Sequence, residues 1–212
     1  MNSAKQDIFD TIRSCFPPST VPREAAYAAI PRTYTQTGSL DAEARVQLLE
    51  DRLRDYGTGV YLSSEEELPQ SIAKILAERG KRSLFATASI PRRWLPDSVR
   101  FRADNGASYD ELDTSEGALT DCAVAIAETG TIILRHTPEE GRRALTLVPD
   151  YHLCIVQVEK IVHSVVEGMR KTAEFAQVPV TTISGPSATA DIEMTRIKGV
   201  HGPRFMDVII VF

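Results

Sequence analysis

Between Ala42 and Thr87 the chain alternates helix-like and strand-like patterns, and this alternation restricts its fold more than any other feature. Ala42, Val46, Leu49, Leu53 and Tyr56 recur at spacings of 4, 3, 4 and 3, the stripe of one helix face, and Gly57 and Gly59 end the run. The apolar triplet Val60–Leu62 follows as a short strand. Next, Ser64 and Glu67 form a capping box, Leu68, Ile72, Ile75 and Leu76 mark a second buried helix face, and Gly80 stops it. Residues 83–87 are a second strand, and Trp94, in the turn "PRRWLP", covers an edge of the core. Strands separated by helices must be joined by crossovers, which makes them parallel neighbours in one sheet.

The second half changes pattern. The apolar runs 122–128 and 131–136 are separated so briefly that they predict an antiparallel hairpin. Residues 144–148 and 152–158 read as further strands, 160–176 as a helix presenting Val162, Val165, Val166 and Met169, and 180–183 and 207–212 as the strands that close the sheet. The expected fold class is α/β: a single domain over residues 41–212, with a mixed, mainly parallel sheet and helices on both faces. Ahead of it, residues 2–15 predict a short helix. Residues 16–39 carry four prolines and read as an extended arm with no packed element, so residues 1–40 stand apart. That arm either embraces the domain or a second subunit, in a homo-oligomer, or hangs free.

Charge and cysteine content narrow the function. Lys and Arg number 24 against 29 Asp and Glu, a net charge of −5, which disfavours nucleic acid and anionic membranes as partners. No apolar run approaches the ~18 residues of a membrane span, and the polar N-terminus does not resemble a signal peptide, so the expected address is cytoplasmic. The three cysteines, Cys15, Cys122 and Cys154, lie far apart with no CxxC pair, and this chain by itself cannot ligate a four-cysteine cluster. Cys122 and Cys154 fall in apolar strands and read as core.

Three stretches hold little apolar side chain and much chemistry. In "IAETGTIIL" (126–134) Glu128 sits at the hairpin corner beside Thr129, Gly130 and Thr131, with Gly130 at the position that needs positive φ. The corner is either a plain surface turn or a site that offers a carboxylate, two hydroxyls and backbone N–H groups. In "TTISGPSATADIE" (181–193) a strand runs into Gly185, Pro186 and Ser187, and a short helix is expected to start near Ser187 or Thr189. A helix start after a strand end can hold an anion. Asp191 and Glu193 complicate this, because they can instead cap the helix, pair with Arg196 or bind a cation. In "KGVHGPR" (198–204) His201 stands between Gly199 and Gly202, accessible for proton transfer. Arg142 and Arg143, in "PEEGRRAL", either supply positive charge to the Gly-Pro-Ser loop or are a solvated pair. His136, His152 and His163 suggest no role.

The order and spacing of "AIAETGTIIL", "TTISGPSATADIE" and "KGVHGPRFMDVIIV" resemble the LUD-domain family, strongly from about Gly117 to Phe212 and more loosely back to about Asp41. The resemblance implies a fold like the NagB/RpiA/CoA-transferase superfamily, with the ligand site along the C-terminal edge of the sheet. It implies a role in growth on L-lactate, in which proteins carrying iron–sulfur clusters act together to oxidise lactate to pyruvate. The iron–sulfur clusters are then expected on partner proteins and no cofactor on this chain; longer members carry a C-terminal ferredoxin-like cysteine cluster, and its absence here fits a short member. Position by position, Glu128, Thr129 and Gly130 match one family motif, Gly185, Pro186, Ser187, Thr189, Asp191 and Glu193 a second, and His201, Gly202 and Pro203 a third. Three functions remain open: a lactate-utilisation subunit that binds a small anion, a free-standing CoA-transferase-like or sugar-phosphate enzyme with Glu128 as nucleophile or base and His201 as acid/base, and a non-catalytic adaptor.

Overall fold

The structure is a computed structural model that describes residues 4–16, 21–189, 197–199 and 201–212. It comprises two compact units, Met1–Tyr34 and Thr35–Phe212. The first holds helix α1 (Ala4–Ser14), on which Ile8, Phe9 and Ile12 are exposed, and a helix α2 (Arg23–Ala28) inside the stretch expected to be extended. Local chemistry explains α2: Pro22 precedes its first residue, Glu24 lies in its first turn, and three of its six residues are alanine.

The second unit is built on a six-stranded sheet in which every pairing is parallel. Its strands are β1 (Gly59–Ser63), β2 (Ser83–Ala86), β3 (Arg100–Ala103), β4 (Ala118–Thr120), β7 (Tyr151–Gln157) and β12 (Phe205–Val211), ordered β1-β12-β7-β4-β2-β3. The central pair β12 and β7 is in register from Phe205 opposite Tyr151 to Val211 opposite Gln157. Both are nearly continuous apolar runs, as strands covered on two faces must be. On one face Leu153, Ile155, Ile209 and Val211 pack under α4 (Leu68–Glu78), through Leu68, Ile72, Ile75 and Leu76, and against Trp94. On the other face Cys154, Val156, Val208 and Ile210 meet Val46, Leu49 and Leu53 of α3 (Ala42–Asp55), whose first turn is capped by Asp41. Burial of each such Leu or Ile contributes about 1.5–3 kcal/mol.

The α/β architecture with a mainly parallel sheet is therefore present, but the strands expected in one sheet divide. The hairpin β5 (Val124–Ile126) and β6 (Thr131–Arg135) joins β8 (Ile161–Val162) and β9 (Val180–Ile183) in a separate four-stranded sheet, ordered β8-β5-β6-β9. Its inward residues Ala125, Ala127, Ile132 and Leu134 complete the core beside α3, while Val124, Ile126, Ile133 and Val162 form a smaller outer cluster. Helix α6 (Val165–Ala173) lies over that outer face, where Gly168 comes so close that an added Cβ would sit 2.5 Å from Ile126.

Several expected boundaries are corrected. Residues 144–148 are not a strand: Arg143–Thr146 form a 3₁₀ turn that buries Ala144 and Leu145 against Phe85, Leu112 and Ala118. The helix expected from 160 begins only at Val165. Ile161 and Val162 pair with β5, and Ser164 and Glu167 form a capping box that sets the true start. The Ser64–Glu67 contact closes a turn ahead of α4 rather than its first turn. Strand β3, helix α5 (Tyr109–Asp113) and strand β4 had no sequence expectation. Among the described residues no helix is long and apolar enough to cross a membrane.

Candidate functional site

A cavity of about 240 Å³ lies where β9 and the loop after it meet the first residues of β7 and β12. Eight consecutive residues, Thr181–Ala188, line one side; Arg143, Thr146, His152 and Met206 contribute from the large sheet and the turn before it, and His201, Gly202 and Pro203 complete it. Two of the three motif stretches thus share one site. Their junction is a backbone lattice. The Ser187 N–H donates to the Pro203 carbonyl at 2.8 Å, the Gly199 N–H donates to the Ser187 carbonyl at 3.0 Å, and the His201 N–H donates to Ser187 Oγ at 3.0 Å. Strand β10 (Ala188–Thr189) pairs antiparallel with β11 (Ile197–Lys198).

This arrangement replaces the helix start expected near Ser187 or Thr189, so no helix dipole points into the cavity from that place. Gly185 adopts φ +80° against Tyr56, where any Cβ would collide with the tyrosine Cβ. Only glycine satisfies both the dihedral and the close approach. Asp191, Glu193 and Arg196 lie outside the described residues.

The cavity's charge comes from Arg143, exposed on its wall, with its Nη1 3.4 Å from Thr146 Oγ1. None of the described lining residues is acidic. His152, which the sequence left without a role, forms part of the wall. It is 1% exposed, its Nε2 lies 2.9 Å from Thr120 Oγ1, and burial together with the Arg143 charge pushes its imidazole down to about 4. It is therefore neutral near pH 7, and the described lining residues combine the Arg143 guanidinium, the neutral His152 imidazole, the His201 side chain and a row of hydroxyls. Such a lining fits a small anion.

Arg142, the other arginine of the pair raised from sequence, is engaged elsewhere. Its Nε donates to Asp104 Oδ2 at 2.7 Å, and it also donates to Asp104 Oδ1 and to the Ala107 carbonyl. Burial raises the Asp104 carboxyl, but the bonds from Arg142 and the Ala107 N–H outweigh it and hold the group below its usual range. The pair anchors the segment from which Arg143 projects.

The model of the LUD domain matches residues 46–211. The chain belongs to the LUD-domain family. It is 47% identical over 165 residues to "Lactate utilization protein C" of Deinococcus radiodurans, covering 76% of this chain and 77% of that one. It is 26% identical over 174 residues to a protein of the same name from Halalkalibacterium halodurans, covering 74% and 75%. The crystal structure of a DUF162 family protein from Deinococcus radiodurans superposes with a TM-score of 0.71 at 39% identity, over 82% of this chain and all of that one.

Within this LUD domain the Glu-Thr-Gly corner is not part of the cavity lining. Glu128 Oε2 accepts the Val165 N–H at 3.3 Å, at the first residue of α6, and the Glu128 carbonyl accepts from Arg52 Nε at 3.2 Å. Gly130, at φ +61°, packs on Arg52, where an added Cβ would fall 2.7 Å from the arginine Cβ. Glu128 therefore does not stand among the lining residues with His201. The corner reaches the cavity through hydroxyls: Thr129 to Thr131 at 2.7 Å, and Thr131 to Ser184 at 2.9 Å, Ser184 being a lining residue.

The cavity abuts His152 and Met206, at the amino ends of β7 and β12, whereas the resemblance implies a ligand site along the carboxyl edge of the sheet. Among the described residues no group of three or more His, Cys, Asp and Glu could hold a metal. Cys122 and Cys154 are buried, their thiols pushed up by burial, Cys154 to about 12.

Proposed function

We propose that this chain is a cytoplasmic subunit of an L-lactate utilisation system, that it binds a small anionic ligand in the cavity lined by Arg143, and that it acts with iron–sulfur partner proteins. The observation that carries the reading is the guanidinium of Arg143 on a wall of hydroxyls and the neutral His152 imidazole, with no acidic residue among the described lining residues. Membership of a family whose relatives are named for lactate utilisation supports it. The position of Glu128, bonded at the start of α6 and outside the lining, weighs against its acting as the nucleophile of a CoA-transferase-like enzyme on a ligand in this cavity.

The test is genetic. A strain lacking the gene should fail to grow on L-lactate as sole carbon source, recover with the wild-type gene, and not recover with R143L produced at normal level. Unimpaired growth of the deletion strain would sink the lactate role, and full rescue by R143L would sink the anion site.

A further inference from the structure

Thr181 lines the cavity, and its hydroxyl is not free to point either way. Its Oγ1 lies 2.7 Å from His136 Nε2, and the other ring nitrogen, Nδ1, lies 3.0 Å from the Gly141 carbonyl oxygen. A carbonyl oxygen can only accept, so Nδ1 carries the proton. In the neutral ring Nε2 is then a bare lone pair, and it takes the Thr181 hydroxyl hydrogen. The Thr181 oxygen has only lone pairs left to offer the cavity.

His136 itself is held on several sides. Its backbone N–H donates to the Pro179 carbonyl at 2.9 Å, the Gly141 N–H donates to the Thr137 carbonyl, and the next residue, Arg142, is clamped on Asp104. The same short segment thus fixes the polarity of Thr181 and carries Arg143 to the cavity wall.

We propose that His136, acting through Thr181, makes the cavity select a small hydroxycarboxylate over the corresponding oxo acid. The inference rests on the anion-site reading above. Arg143 takes the carboxylate of either ligand. A hydroxyl on the neighbouring carbon donates to the Thr181 oxygen, whereas a carbonyl there sets acceptor against acceptor, or forces Thr181 to give up His136. A polar group that loses its partner in a site costs more than the bond itself returns, and sites built to bond a ligand hydroxyl reject the analogue without one. His136 is a positioning residue here, since it touches no ligand.

The experiment is isothermal titration of the full chain with L-lactate and with pyruvate, which differ by two hydrogens. The wild type should bind L-lactate about tenfold more tightly than pyruvate, the worth of one hydrogen bond. T181V and H136F should bring the ratio close to one. T181S should keep it, and H136Q, whose amide oxygen can accept from Thr181, should restore part of it. A merely structural role would weaken both ligands in proportion and leave the ratio alone. Equal wild-type affinities, or an unchanged ratio in T181V, overturn the proposal while the anion site stands. If neither acid binds the wild type, both readings fall.

Discussion

A buried histidine that stays neutral makes a fold sensitive to acid. The imidazole of His152 has an ordinary value of 6.5 when exposed and is held at about 4 in the folded chain by burial and then by Arg143. As pH falls, the unfolded chain takes up this proton first. The contribution is therefore fully present above about 6.5 and lost progressively down to about 4, approaching ~3 kcal/mol at the lower end. Urea midpoints at pH 7 and pH 4.5 should differ more for the wild type than for H152Q, and equal differences would contradict the assignment. Asp207 is a second residue on which stability rests. It is fully buried, accepts from Arg79 at 2.8 and 2.6 Å and from the Tyr151 hydroxyl at 3.0 Å, and its partners come from distant segments. D207A leaves the Tyr151 hydroxyl and the guanidinium without their carboxylate and should cost about 3 kcal/mol or more by chemical denaturation. None of this was legible in "MDVIIVF": an acid at a strand start carries no sign of a partner 128 residues away.

At the scale of elements, legibility follows whether the signal is local. Helices α3 and α4 and strands β7 and β12 could be read because their apolar periods are set by their own burial. The hairpin was legible from its short glycine-bearing link. Residues 144–148 misled because Leu145 and Val148 are apolar enough for a strand, while the space beneath them, between Phe85 and Leu112, takes a turn. The start of α6 was in plain view as Ser164 and Glu167, yet the apolar run before it hid the boundary. Ser164 Oγ accepts the Glu167 N–H at 3.3 Å, and Glu167 Oε2 accepts the Ser164 N–H at 2.9 Å. S164A should cost about 1 kcal/mol, seen as a lower urea midpoint, with ligand affinity unchanged. Glu128 belongs to the same helix start, so E128Q should still support growth on L-lactate. Complete loss of growth with a normally folded E128Q protein would return Glu128 to the chemistry.

At the scale of the molecule, the cavity joins segments that lie far apart in the chain: the loop after β9, the loop before β12, and the 3₁₀ turn with the start of β7. Sequence reading found the first two because they are poor in apolar side chains. It raised Arg142 and Arg143 together and passed over His152, because only the assembled sheet shows which side chain faces the space and which is turned toward Asp104. The most direct test of the account is a crystal structure of the full chain soaked with L-lactate. The account predicts an ordered carboxylate bonded to the Arg143 guanidinium, with the ligand hydroxyl at Thr181. A ligand seated at Glu128 and the start of α6, with the Arg143 cavity holding only water, would contradict it.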